Sequence, residues 1–200
     1  MNGEPRTYAG LNLALQITIL RLMLIPVFIG LVIYYGESVR EGAANESLRH
    51  WAAAVFGIAS ASDALDGWIA RRFNQITRLG TLLDPLTDKL LMLAAIVTLS
   101  FTSWPQHFPL WFPVIVIFRD MASIGGAFLI DHIVGQCVVK PHWTGKVATF
   151  FQITAISWVL LDVRFLDRVW PTALATLFTV ISGFIYLADG ARQIKAAGHD

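Results

Sequence analysis

The sequence predicts an all-α membrane protein, a single domain that crosses the bilayer with about six helices. Hydrophobic residues make up 56% of the chain and charged residues only 14%, which is more apolar than a typical soluble domain. The mean hydropathy is positive, and apolar runs long enough to span a bilayer recur along the chain. A chain of 200 residues ordinarily forms one domain, here residues 1–200.

Six apolar segments are the predicted spans, and polar turns separate them. The first segment is too long for the core of a signal peptide and has no small-residue cleavage pattern after it, so we expect it to stay in the protein. Tryptophans and prolines at 104–111 are typical of a turn at the membrane interface. The predicted spans are Leu11–Tyr35, Leu48–Arg72, Leu79–Phe101, Leu110–Ile130, Lys146–Leu161 and Trp170–Ala188.

The distribution of basic residues predicts the orientation. An even number of spans places both termini on one side, and the side richer in Lys and Arg is the cytoplasmic one. In the loops on the other side, neighbouring carboxylates offset most of the arginines. The predicted cytoplasmic side carries Arg6, Arg71, Arg72, Arg78, Lys140, Lys146, Arg192 and Lys195.

Four aspartates occur where the second and third predicted helices approach each other in sequence. On each helix, the acids and the small residues share one face, because their spacings are three, four and seven on the second helix and four on the third. These residues are Asp63, Asp66, Gly67 and Ala70 on the second helix, and Gly80, Asp84 and Asp88 on the third. A short polar turn at 74–75 lets the two helices run antiparallel, so we expect the four carboxylates to converge.

A cluster of carboxylates beside lipid requires compensating positive charge. An ionised Asp within a transmembrane helix costs about 2.5–3.5 kcal/mol on insertion scales. Two carboxylates roughly 4 Å apart repel by about 4 kcal/mol at an effective dielectric of 20. One or two divalent cations compensate most simply, and magnesium, manganese or calcium prefer carboxylate oxygens. The adjacent small residues leave room for a bulky ligand such as a nucleotide diphosphate.

The spacing D-x-x-D-G-x-x-A-R-x8-G-x3-D-x3-D, which starts at Asp63 and includes Arg71, resembles the signature of the CDP-alcohol phosphatidyltransferases. In the first predicted helix, Thr18, Arg21 and Pro26 form a T-x-x-R-x4-P pattern that is similar to the same family. The resemblance implies an enzyme of phospholipid biosynthesis that works as a homodimer. We expect an integral protein of a bacterial inner membrane, and the charge distribution described above places its active site at the cytoplasmic ends of helices 2 and 3.

The resemblance also implies roles for individual residues. Asp88 is the expected catalytic base, which takes the proton from the attacking hydroxyl. The metal ligands, for one or two Mg²⁺ or Mn²⁺ ions, are Asp63, Asp66, Asp84 and Asp88. The residues expected to bind CDP are Asp66, Gly67, Ala70, Arg71 and Gly80. The guanidinium fork of Arg71 matches two phosphate oxygens, in keeping with that role.

The acceptor is predicted from two further stretches. The sequences ARRFNQITRLGTLLDPLTDKLL and WTGKVATFFQ look most like the phosphatidylglycerophosphate synthases, whose acceptor is glycerol 3-phosphate. The pair Arg119-Asp120 is closer to the cardiolipin synthases of the family, whose acceptor is phosphatidylglycerol. Arg119 and Lys146 are the predicted acceptor-binding residues. The alternative for Arg119 is a structural ion pair with Asp120.

The partners are therefore CDP-diacylglycerol, a polar alcohol and the lipid bilayer. The net charge of +1 gives no indication of a nucleic-acid partner. A function of another class is a membrane transporter whose acids bind a permeating cation. That alternative does not explain why glycines and an arginine accompany the acids at this spacing.

Overall fold

The computed structural model describes the backbone of residues 13–73, 78–134, 143–165, 167 and 169–197. Within these ranges, the side chains of 13–15, 63–73, 78–85, 127–134 and 193–197 lie outside the description. The described chain forms six α-helices, and the predicted all-α class is confirmed. They are α1 (Leu13–Arg40), α2 (Glu46–Phe73), α3 (Arg78–Phe101), α4 (Trp111–Val134), α5 (Trp143–Leu160) and α6 (Val169–Ala197).

Two helices in the described part of the chain are long and apolar enough to cross a membrane, judged by length and composition. They are α1 over Gln16–Arg40 and α6 over Val169–Arg192. Both expose large apolar side chains: Met23 is 65% exposed and Phe184 is 69% exposed. Lipid accommodates such a surface, whereas water does not. The fold is therefore consistent with a membrane protein.

Several helices extend past the apolar spans that the sequence predicts. α1 continues from Tyr35 to Arg40, and α6 continues from Ala188 to Ala197. The apolar pattern marks only the part of a helix that faces apolar surroundings. Helical hydrogen bonding continues through polar residues until a capping group satisfies the free carbonyls or amides. Apolar length therefore underestimates helix length.

The turn between α1 and α2 shows what ends a helix in this chain. Gly42 has a φ of 77°, in the left-handed region that glycine adopts without strain. The N–H of Ala43 donates to the carbonyl of Ser38 at 3.0 Å, which closes a Schellman motif. Asn45 then caps α2, because its Oδ1 accepts a hydrogen bond from the N–H of Ser47 at 3.2 Å.

The chain divides within α3 into two compact units, Met1–Ala95 and Ile96–Asp200. In the first unit α1 packs against α2. The rings of Phe28 and Phe56 lie 5.8 Å apart, and Phe28 has no exposed surface. The single family domain and the homodimer stay predictions.

In the second unit, α6 packs against both α4 and α5. The rings of Phe151 and Phe178 stack with centroids 5.0 Å apart. A buried polar link accompanies this apolar contact, because Gln152 Nε2 donates to Thr179 Oγ1 at 2.9 Å. Such a bond between helices in apolar surroundings favours one register of α5 against α6.

The turn between α3 and α4 is tied to the end of α5. Trp104 is buried, and its indole Nε1 donates to the carbonyl of Val159 at 3.2 Å. Gln106 Nε2 donates to Asp162 Oδ1 at 2.8 Å. Asp162 itself has a φ of 50°, where aspartate is one of the residues that tolerate the left-handed conformation. These contacts hold the turn between α3 and α4 against the end of α5.

We predict that Trp104→Phe lowers the free energy of unfolding by about 1–3 kcal/mol, because it leaves a buried carbonyl without its donor and removes buried volume. Unfolding of the detergent-solubilised protein measures this change. The matched control is Trp51→Phe on α2, where the indole is 64% exposed. Equal losses in both variants would contradict a role for the Trp104 bond.

Candidate active site

Two aspartates follow the buried residues of α2 in the same helical register. Ala52, Phe56 and Ala59 are buried, at successive steps of four and three residues. Asp63 and Asp66 continue this register by further steps of four and three, and the backbone remains helical through both positions. Their backbone positions therefore extend the inner stripe of α2.

The same change from apolar to acidic occurs on α3, in the opposite direction along the chain. Met92 and Ile96 are buried, four residues apart. Asp88 precedes Met92 by four residues and is itself half-buried, and Asp84 precedes Asp88 by four. The backbone positions of Asp88 and Asp84 therefore continue the buried stripe of α3 toward its N-terminal end.

The two acidic ends are close in sequence, because α2 ends at Phe73 and α3 begins at Arg78. Residues 74–77 lie outside the described residues. So do the side chains of the predicted ligands Asp63, Asp66 and Asp84, and those of the predicted CDP-binding residues Gly67, Ala70, Arg71 and Gly80. The helical register agrees with the predicted stripes, and the convergence of the four carboxylates stays a prediction.

The predicted metal ligands fit a hard divalent cation in type, because each offers only carboxylate oxygens. The side chains that the structure describes contain no group of three His, Cys, Asp or Glu residues that could hold a metal ion. That finding covers Asp88 alone among the four predicted ligands.

The polar residues Thr18 and Arg21 of α1 are buried inside the protein. Arg21 has no exposed surface, and Thr18, one turn earlier, is 1% exposed. A buried guanidinium requires hydrogen-bonding or charged surroundings, since desolvation is otherwise costly. The pattern that resembles the family therefore marks a buried polar position in the first unit.

Arg119 on α4 is held by contacts from two sides. Its Nη1 donates to Asp120 Oδ1 at 2.7 Å, and its Nη2 donates to Ser182 Oγ on α6 at 2.6 Å. Its Cζ lies 5.4 Å from the ring centroid of Tyr186, within the range of a cation–π interaction. The ion pair with Asp120 is thus present, but the contacts from α6 are additional to it.

Two glycines surround this guanidinium. A Cβ at Gly145 on α5 would lie 3.4 Å from Arg119 Nη2 and 3.4 Å from the hydroxyl of Tyr186. A Cβ at Gly183 on α6 would lie 3.3 Å from Arg119 Cγ, which is tighter than ordinary contact. The arginine therefore occupies space that a side chain at either position would narrow.

On Arg119 and on the residue before Gly145, two buried polar atoms have no hydrogen-bond partner within the described part of the chain. They are Arg119 Nε and Thr144 Oγ1, the latter on the residue before Gly145. Most buried polar groups in proteins are hydrogen-bonded, and each one that is not costs about 1–3 kcal/mol. Arg119 Nε therefore keeps a donor that no described protein group uses.

The second predicted acceptor residue, Lys146, is exposed in the first turn of α5. It follows Gly145, whose position borders the Arg119 guanidinium. The structure therefore brings Arg119 next to Gly145, the residue before Lys146, although Arg119 and Gly145 are 26 positions apart in sequence.

Sequence reasoning missed Ser182 and Tyr186, which contact Arg119 from α6. The available signal was weak: a serine and a glycine adjoin in an apolar helix, and a tyrosine follows one turn later. Small residues of this kind equally indicate close helix packing. Only the packing of α6 against α4 identifies their partner.

Comparison with known proteins agrees with the sequence motif. Residues 11–190 match the CDP-alcohol phosphatidyltransferase family. The chain is 33% identical over 186 residues to a probable phosphatidylglycerophosphate synthase of Mycobacterium tuberculosis, covering 92% of this chain and 83% of that protein. It is 35% identical over 195 residues to the CDP-diacylglycerol–glycerol-3-phosphate 3-phosphatidyltransferase of Bacillus subtilis, covering 93% and 98%.

A relative with a different name is also similar. The cardiolipin synthase (CMP-forming) of Streptomyces coelicolor is 31% identical over 187 residues, covering 88% of this chain and 81% of that protein. The family match includes the acidic ends of α2 and α3 and the surroundings of Arg119. The predicted resemblance is thus confirmed: this chain belongs to the CDP-alcohol phosphatidyltransferase family of enzymes.

Proposed function

We propose that this enzyme transfers the phosphatidyl group of CDP-diacylglycerol to the hydroxyl of glycerol 3-phosphate and releases CMP, as a step of phospholipid biosynthesis. The observation that carries the proposal is the continuation of the buried stripes of α2 and α3 into the four motif aspartates. The names of the Mycobacterium tuberculosis and Bacillus subtilis relatives support the choice of donor and acceptor.

The motif aspartates suit a divalent cation, Mg²⁺ or Mn²⁺, in one or two copies. Asp63, Asp66 and Asp84 would hold it, with Asp88 at the margin, since these ions prefer carboxylate oxygens. When bound, such a cation neutralises diphosphate charge and makes the phosphorus more electrophilic.

Asp88 then has a role as general base. The hydroxyl oxygen of the acceptor forms a bond to the lipid-side phosphorus, and the bond from that phosphorus to the oxygen bridging to CMP breaks. The carboxylate of Asp88 takes the hydroxyl proton, and CMP leaves with the bridging oxygen. Aspartate is a weak base, so much of the rate must come from positioning.

The neighbouring motif residues are proposed to hold the donor. Gly67, Ala70 and Gly80 have minimal side chains, which lets the diphosphate and its nucleoside approach the helices. Arg71 lies one residue after Ala70, and its guanidinium can bind two phosphate oxygens at once. The donor is then held on the same faces as the carboxylates.

We predict that purified enzyme with CDP-diacylglycerol and Mg²⁺ releases CMP when glycerol 3-phosphate is added. Parallel reactions with phosphatidylglycerol, serine and inositol test the other acceptors, because the donor half of the reaction is shared. Release with phosphatidylglycerol alone would make the enzyme a cardiolipin synthase, as the name of the Streptomyces coelicolor relative suggests. No CMP in any reaction, together with cation flux into proteoliposomes, would favour the transporter alternative.

We predict that Asp88→Asn lowers kcat by about 10²–10⁴-fold, because the amide cannot accept the hydroxyl proton. Binding of CDP-diacylglycerol should remain within roughly twofold of wild type, since the other three carboxylates are intact. Single-turnover CMP release and equilibrium binding of the donor measure the two effects separately.

Two controls accompany this variant. Asp63→Asn removes a proposed metal ligand and should weaken donor binding, whereas Glu41→Gln changes an exposed carboxylate in the turn between α1 and α2 and should leave both quantities unchanged. Equal loss of donor binding in Asp88→Asn and Asp63→Asn would contradict the separate role of Asp88.

The proposal includes six spans, a bacterial inner membrane and a cytoplasmic active site. The charge distribution and the apolar helices α1 and α6 support it. In this arrangement the turn between α1 and α2 lies on the side opposite the termini.

We predict that a membrane-impermeant maleimide labels Ala44→Cys in spheroplasts, in a Cys137→Ser background. Ala44 is exposed in that turn, and Cys137 is the single cysteine of the chain. The wild-type protein, which keeps Cys137, is the control. Cys137 follows α4 in sequence, on the predicted cytoplasmic side, so it should react only after the membrane is opened. The reverse pattern of labelling would contradict the orientation.

A further inference from the structure

We propose that Ser182 and Tyr186 are positioning residues that hold the guanidinium of Arg119 in the orientation in which it binds the phosphate of the acceptor. The inference rests on the proposed function and adds to it two residues outside the motif. Both lie on α6, one turn apart, and neither adjoins Arg119 in sequence.

The contacts determine the plane of the guanidinium. Ser182 Oγ accepts from Nη2 at 2.6 Å, and the ring of Tyr186 lies 5.4 Å from Cζ. Ser182 has no exposed surface, so water does not compete for this hydrogen bond. The hydrogen bond from Nη2 to Ser182 and the contact with the ring of Tyr186 together leave the guanidinium plane little rotational freedom.

The glycines make this orientation possible. Gly183 faces Arg119 Cγ, and Gly145 faces both Arg119 Nη2 and the hydroxyl of Tyr186. A methyl group at either position would come within 3.4 Å of the arginine or closer. The cluster therefore combines close packing around the stem with specific contacts at the charged end.

Charge explains why orientation matters for a phosphate. Asp120 pairs with Nη1 and offsets the positive charge of Arg119, so attraction to an anion by net charge is reduced. Binding by Arg119 then depends on the directions of its N–H groups, as in a bidentate contact to phosphate. The unpaired Arg119 Nε shows that the guanidinium keeps hydrogen-bonding capacity.

The test is steady-state CMP release with glycerol 3-phosphate. Ser182→Ala should raise the KM for glycerol 3-phosphate about fivefold, the loss expected for one typical hydrogen bond, and leave the KM for CDP-diacylglycerol unchanged. Tyr186→Leu should raise the KM for glycerol 3-phosphate in the same way. Tyr186→Phe keeps the ring face, so its KM for glycerol 3-phosphate should stay close to the wild-type value.

Thr179→Val is the matched control. Thr179 is also buried on α6 and also bonds to a neighbouring helix, but its partner is Gln152 on α5. The variant removes a comparable interhelical bond away from Arg119. It should lower the temperature of unfolding without changing the KM for the acceptor. A rise in acceptor KM equal to that of Ser182→Ala would show a general packing effect and overturn the proposal.

A double-mutant cycle tests whether Ser182 acts through Arg119. In the Arg119→Ala background, which should itself have a raised acceptor KM, Ser182→Ala should cause no further rise. The same fivefold rise in both backgrounds would overturn the positioning role and leave the proposed function intact. Failure of the wild-type enzyme to release CMP with glycerol 3-phosphate would instead overturn the proposed function, and the inference with it.

Discussion

Aspartates whose backbone positions continue the buried stripes of two helices are the constraint on which the rest of this structure depends. An ionised aspartate in such surroundings is unfavourable by several kcal/mol unless opposite charge or hydrogen bonds compensate. The acids of α2 and α3 occur at the ends that adjoin in sequence, where the buried apolar stripe stops. That placement keeps the acidic positions near the helix ends at which we propose that the cations bind.

The second unit contains the same difficulty with the opposite sign. Arg119 lies in the apolar helix α4 with its side chain only 15% exposed. Here the compensation is visible within the protein, because Asp120, Ser182 and the ring of Tyr186 surround the guanidinium. An ion pair alone would be a sufficient structural explanation of Arg119. The added contacts from α6 and the glycine positions point to a defined orientation, which a purely structural pair does not require.

The helix ends show a limit of reasoning from hydrophobicity. Each of the six predicted apolar segments overlaps one of the six described helices, but α1, α5 and α6 are longer than their apolar cores. Gly42 and Asn45 are strong capping residues, and they mark the turn between α1 and α2. Hydropathy reports the surroundings of a helix, whereas capping reports where its backbone hydrogen bonds stop, and the two need not coincide.

The sequence by itself determined the all-α class, the acidic stripes and the family, because helical periodicity and motif spacing are local properties of the chain. It also supplied Arg119 and Lys146 as candidates. Only the tertiary structure decided that Arg119 bonds to Ser182, 63 residues away, and lies against Tyr186. The physical reason is that the register between two helices depends on how their side chains interlock across the contact. No spacing within either helix contains that information.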